Sequence, residues 1–403
     1  MLQPKLVPVQ PLAPPPKAAA TTRRRQPSPF FGALDAVLVD DPGEFSFDGA
    51  LSLAEADAAW TWLARDVAPD LIVTTAEAEV GIAALVAATP ALLSRARAAS
   101  AAAAADPEQE RRLRVQLGGN DNRQRLPLVL GALRCLPLLG KARAFGRAVD
   151  GMSEEPAIVT ALDALPRQDA SASALLMMAA VGEVMAPERL TVAATRIAGD
   201  TSELAIERAG FGALIEALLA HAQNMLPRLE RSGTFADADL TCRSVERFHR
   251  LIRSIGAYVD LVPRGRWATI SASLTRTVSA RLEPGLRDLP TTINRALRKG
   301  PADRLDGDDL LAALNGTYLL AAIREARDSL ALNEAFDESW SRSGQVLELH
   351  LTRSLDALRD DPADANMAAR VDAGIKMAEI RFGLDYADVL RRARAGFDRR
   401  ASA

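Results

Sequence analysis

Histidine, cysteine and aromatic residues are all scarce in this 403-residue chain: three His, two Cys, and Phe, Trp and Tyr together at 4 %. His221, His249 and His350 stand far apart, so no short zinc-binding spacing and no local histidine-based catalytic motif can be assembled from them. Cys135 and Cys242 are too few for a disulfide framework and read as free thiols in a reducing compartment. An excess of charge of one sign is also missing. The 49 basic and 52 acidic residues leave a net charge of −3. Broad nucleic-acid binding needs a cationic surplus that displaces counterions, so no nucleic acid is expected as a partner. Lysine occurs only at positions 5, 17, 141, 299 and 376, and arginine supplies the remaining basic side chains. With the high alanine content, this usage points to GC-rich coding and a bacterial source.

Long hydrophobic runs are absent too. The nearest approach is 126–139, which is too short and holds Arg134 and Pro137, so no transmembrane helix is expected. Arg23, Arg24 and Arg25 are followed by Gln-Pro-Ser-Pro rather than by an apolar stretch, which does not fit a secretory leader. A cytoplasmic location follows as the expectation.

What is present is Ala, Leu and Arg at helical spacing, with hydrophobic residues at 48 %. Residues 1–45 are rich in proline and poor in apolar side chains, and are expected to form a disordered tail. Its exception is the patch around Phe30 and Phe31. Ser52 and Glu55 have the spacing of a capping box, as do Thr74 and Glu77. Thr89-Pro90 and Asp106-Pro107 each place a capping residue before a proline, and Gly118-Gly119 marks a helix stop. Further punctuation falls near Pro137, Pro156, Ser171 and Pro187, so 46–200 is expected to be a domain of short helices with solenoid-like spacing.

Beyond residue 200 the apolar stripes lengthen. Val245, Phe248, Ile252 and Ile255 share one helical face, as do Trp267, Ile270, Leu274 and Val278. The last stripe is Tyr386, Val389, Ala393 and Phe397. A long-helix bundle is expected for 201–403. The fold class is therefore all-α: a short-helix array, then a long-helix bundle, with the tail in front.

Two strings invite a chemical reading. Asp360-Asp361-Pro-Ala-Asp364 matches the DDxxD pattern in which aspartates hold magnesium against a diphosphate. Pro362 interrupts it where a helix would have to present the carboxylates, and no second aspartate-rich string faces it, so a turn with a helix cap is the stronger reading. Glu246 and His249 have the spacing used in di-iron bundles, but a second such pair is lacking. The dense apolar segment 126–139, followed by Lys141, Arg143 and Arg147, fits either two core helices broken at Pro137 or an interfacial helix on a membrane surface.

No cofactor is expected. The reading that follows is a non-enzymatic helical scaffold or adaptor that binds another protein, with Phe30, Phe31, Trp60 and Trp62 as candidate contacts because aromatic residues anchor interfaces. Its alternatives are a magnesium-dependent helical enzyme acting on a diphosphate through Asp360, Asp361 and Asp364, and a peripheral membrane protein.

Overall fold

The computed structural model describes residues 29–39, 43–72, 78–229, 238–298 and 305–401. The fold is all-α, with sixteen α-helices among these residues. They are α1 (Pro29–Leu34), α2 (Leu53–Trp62), α3 (Ala78–Ala105), α4 (Pro107–Gln116), α5 (Asn120–Gly151), α6 (Glu155–Asp163), α7 (Ala170–Val181) and α8 (Glu188–Ala198). There follow α9 (Glu203–Arg208), α10 (Gly212–Gln223), α11 (Ala238–Tyr258), α12 (Arg266–Leu297), α13 (Gly307–Ala326), α14 (Asn333–Asp360), α15 (Ala365–Phe382) and α16 (Leu384–Ala401). The one sheet among the described residues is a parallel pairing of Leu38–Val39 with Leu51–Ser52.

The centre of the packing is α7. Every residue from Ser173 to Val181 is buried, and Ala170–Val181 carries no charge. A helix apolar on all sides has no face to give to water, so others must enclose it. α5 and α10 pack along it, and the 3-10 turn Asp35–Val37 covers part of the remainder. Gly146 of α5 makes the crossing close: a Cβ there would lie 2.2 Å from the Ala180 carbonyl oxygen. Packing runs without a break past residue 200, since α7 meets α10 and α8 meets α11. One apolar cluster extends from Phe30 to Phe397.

Several helix boundaries fall where the sequence places them. Ser52 and Glu55 form a complete capping box, and Asp106 caps α4 with Pro107 in its first turn. Gly118 and Gly119 have φ of 78° and 147° and end α4 in backbone that side chains resist. Thr74 and Glu77 lie outside the described residues.

Other boundaries are overridden. Thr89-Pro90 does not start a helix; both lie inside α3, where the Thr89 hydroxyl donates to the Leu85 carbonyl at 2.7 Å instead of capping. Pro127 and Pro137 both lie within α5, so the expected break at Pro137 is replaced by one 32-residue helix. Each internal proline removes a backbone bond and crowds the preceding turn. The offset is burial of a long stripe through Leu126, Val129, Leu133, Leu136 and Leu139. That burial turns the apolar side of 126–139 into the protein. By length and composition one described helix, 81–105 in α3, is long and apolar enough to cross a membrane, where none is expected. Its apolarity is largely alanine, and Arg95 and Arg97 interrupt it.

The expected tail, 1–45, is also redrawn. Residues 29–39 belong to the body, whereas 1–28 and 40–42 lie outside the described residues. Phe30 is fully buried, stacked on Trp60 with ring centroids 4.5 Å apart and edge-on to Phe31 at 5.4 Å. Deleting a large buried ring removes its transfer free energy and leaves a cavity, so Phe30→Ala should cost about 3–5 kcal/mol. Denaturant unfolding of the full chain checks this; a midpoint equal to that of the wild type would return the segment to the tail.

Candidate functional site

The carboxyl end of α7 is buried, so its last carbonyls must find donors inside the protein. The amides of Gly182 and Val184 donate to Met178 and Val181 at 3.2 and 3.3 Å, and two neighbouring helices add further donors to the same carbonyls. His221 of α10 donates its Nε2–H to the Met178 carbonyl at 2.8 Å. Arg247 of α11 reaches the Val181 carbonyl at 2.6 Å, and its other terminal nitrogen donates to the Val184 carbonyl. A cation here also meets the negative end of the helix dipole. Gly182, just past the helix, leaves room for the imidazole: a Cβ there would stand 3.2 Å from the His221 Cε1.

Burial, with Arg247 and Arg228 nearby, pushes the His221 pKa down to about 4 and outweighs the bond to Met178. The ring is therefore neutral at pH 7. Burial likewise lowers the pKa of the Arg247 guanidinium, with Arg250 adding repulsion and Asp150 and Glu188 opposing it.

Around this floor opens a cleft of about 850 Å3, walled by α7, α10, α11 and residues 31–38. Across it, Arg143 of α5 pairs with Glu183 at 2.5 Å, and Arg147 approaches the same carboxylate at 3.1 Å. Of these residues, the sequence marks Arg143 and Arg147 only as a basic flank to 126–139. Nothing local in the sequence marks Arg228 and the arginines of α11 as facing one another. A second cavity of about 450 Å3 lies beneath residues 43–52. There Arg125 holds Glu55 at 3.0 Å and the Phe47 and Ala50 carbonyls at 3.0 and 2.6 Å. Gln223 brackets Phe45 through two bonds of 2.9 Å.

Of the residues marked out in the sequence, Phe31 and Glu246 line the cleft and Phe30, Phe31 and Trp60 meet in one aromatic cluster, whereas the aspartates at 360–364 lie elsewhere. Phe30 and Trp62 are buried, so a partner does not reach them in this fold; Phe31 and Trp60 are half-buried against the same cluster. Asp360 is the last residue of α14. Asp361 accepts from the Ala363 amide at 3.1 Å, and Asp364 caps α15 by accepting from Asn366 and Met367, both at 3.0 Å. These carboxylates serve the turn between two helices, and no cluster of three or more metal-ligating side chains occurs among the described residues. The three histidines are also dispersed: His249 bonds Ser329 at 2.9 Å and His350 bonds Asn294 at 2.9 Å.

No protein-family model matches the chain, and neither a curated protein nor a solved structure is similar to it.

Two outcomes are expected. Asn caps helices about as well as Asp, so replacing Asp360, Asp361 and Asp364 together by Asn should cost about 1 kcal/mol or less. Denaturant unfolding measures this, and calorimetric titration with magnesium and a diphosphate analogue tests the same carboxylates as a metal site. For His221 the folded pKa lies below the ordinary 6.5, so the unfolded chain binds more protons between those values. Stability is then complete above about pH 6.5 and falls as pH drops toward 4. His221→Gln keeps an N–H for Met178 and removes the titration. Between neutral pH and pH 4 the wild type should lose up to about 3 kcal/mol more than this variant, as read by denaturant unfolding across pH.

Proposed function

We propose that the protein is a non-enzymatic helical scaffold that binds another protein across the open side of its C-terminal helices. The observation carrying this reading is the width of the apolar arc on α16. Ala387, Leu390 and Phe397 pack inward. The expected stripe of Tyr386, Val389 and Ala393 instead faces outward, with Tyr386 37 % and Val389 57 % exposed. At about 100° per residue the two rows lie side by side, so the helix carries an apolar surface twice as wide as its packing uses.

The same end of the molecule gathers the residue types that dominate interface energies. Phe382 and Tyr386 have ring centroids 4.8 Å apart. The Arg381 guanidinium lies 3.3 Å from the Trp340 ring centroid and 4.9 Å from that of Phe382, while Arg324 lies 5.3 Å from Trp340. Burial pushes the Arg381 pKa down to about 10, so this cation is held against aromatic faces at a desolvation cost. An amphipathic helix with apolar residues three and four apart fits such a surface.

The test uses the full chain. A partner is captured from the native cell and purified, and its affinity is measured for the wild type and for Tyr386→Ala/Val389→Glu. The double variant should fold normally and bind at least tenfold more weakly, a loss of about 1.4 kcal/mol or more. Unchanged affinity would overturn the reading.

A further inference from the structure

The cleft at the end of α7 carries more positive charge than its own carboxylates balance. Arg143, Arg228, Arg243, Arg247 and Arg250 line it, against Asp35, Glu183 and Glu246. Among the described lining residues five positive charges face three negative ones, and Asp239 stands beside Arg243 as a fourth carboxylate. Residues 243, 247 and 250 recur at spacings of four and three, so one face of α11 carries the whole stripe.

Pairing within this set is uneven. Arg143 is held by Glu183, and Arg243 by Asp239 at 3.0 Å. Arg247 is anchored on backbone carbonyls and has no carboxylate at its guanidinium. Among the described residues Arg228 and Arg250 form no ion pair; Arg250 reaches only the Met185 carbonyl, at 3.4 Å. Both side chains are exposed at the rim. Phe31, Leu38, Leu53 and Met225 add apolar wall beside them.

We propose that this cleft binds the phosphate group of a soluble phosphorylated small molecule, with Arg228 and Arg250 as direct contacts and Arg247 as the fixed charge at its floor. A guanidinium fork matches phosphate oxygens two at a time. A phosphate monoester carries nearly two negative charges at neutral pH, which complements the two rim cations Arg228 and Arg250, whereas a single carboxylate would leave one of them unmet. A volume of about 850 Å3 falls in the range of small-molecule sites, and the apolar wall suits the organic part of the ligand. The site shares no residue with α15 or α16 and stands apart from the scaffold reading.

Thermal unfolding of the full chain tests the proposal, because a ligand of the folded state raises the midpoint by mass action. Inorganic phosphate and pyrophosphate are compared with sodium chloride at equal ionic strength. The midpoint should rise above the chloride control and keep rising with the logarithm of pyrophosphate concentration once the site is filled, as binding at one site of the folded state requires. Arg228→Gln/Arg250→Gln should weaken this response at least tenfold, while Arg112→Gln, an exposed change on α4, should leave it intact. A rise no greater than with chloride, or an equal rise in the double variant, would overturn the proposal. So would recruitment to phosphatidylcholine vesicles containing phosphatidic acid, lost in the double variant, without a response to pyrophosphate; the phosphate would then belong to a lipid surface. If the double variant unfolds, calorimetric titration of pyrophosphate into the two single variants decides the question, with unchanged affinity in both counting against it.

Discussion

The buried carboxyl end of α7 is the constraint on which the neighbouring structure depends. Its apolar side chains require enclosure on every side, and enclosure strips water from its last carbonyls. The amides of Gly182, Glu183 and Val184 meet the Met178, Ala180 and Val181 carbonyls at 3.2, 3.1 and 3.3 Å, and the second lone pair of a carbonyl is open to further donors. α10 delivers His221 and α11 delivers Arg247. Both helices are thereby placed, and with them the arginine face of α11 and the walls of the cleft.

The same solution recurs through the molecule and gives the preference for arginine over lysine a structural use. Arg189 donates to the Val149 and Asp150 carbonyls, at 2.6 and 3.2 Å, at the end of α5. Arg125 ties down residues 47–50 by two carbonyls, and Arg381 meets the Trp340 carbonyl at 2.8 Å. A guanidinium presents five donors in a rigid plane, so one side chain can satisfy two carbonyls and still meet a carboxylate or an aromatic face. Arg189 and Arg247 each use both terminal nitrogens on different carbonyls, a reach that lysine, with three donors on a single nitrogen, lacks. Arginine thus adds hydrogen bonds at the ends of α5 and α7, at the 47–50 turn and along α14.

The two readings of function use surfaces of different kinds. At the C-terminus, α16 leaves part of its apolar arc uncovered, which is the raw material of a protein interface. At the end of α7, cations serve the fold first, and their surplus charge faces a cavity. The aspartates of 360–364, by contrast, spend their oxygens on amides of the turn they occupy.

What the sequence by itself determined is what depends on near neighbours along the chain. The helical class followed from spacing, and the seams through Val245–Ile255 and Trp267–Val278 are buried as their periodicity requires. Ser52, Asp106 and Asp364 cap helices because a cap is made with amides two or three residues away. Tertiary structure decided the rest. Pro90, Pro127 and Pro137 sit inside helices because burial of the flanking stripes outweighs the local loss. Phe30 joined the body because Trp60 offered its ring a face. The row at Tyr386 and Val389 turned outward because periodicity defines an apolar arc but not which part of it the neighbours cover. Arg143, Arg228 and Arg247 meet at one cleft because the enclosure of α7 brings their helices together, and residues so far apart in the chain leave no local pattern that could announce the meeting.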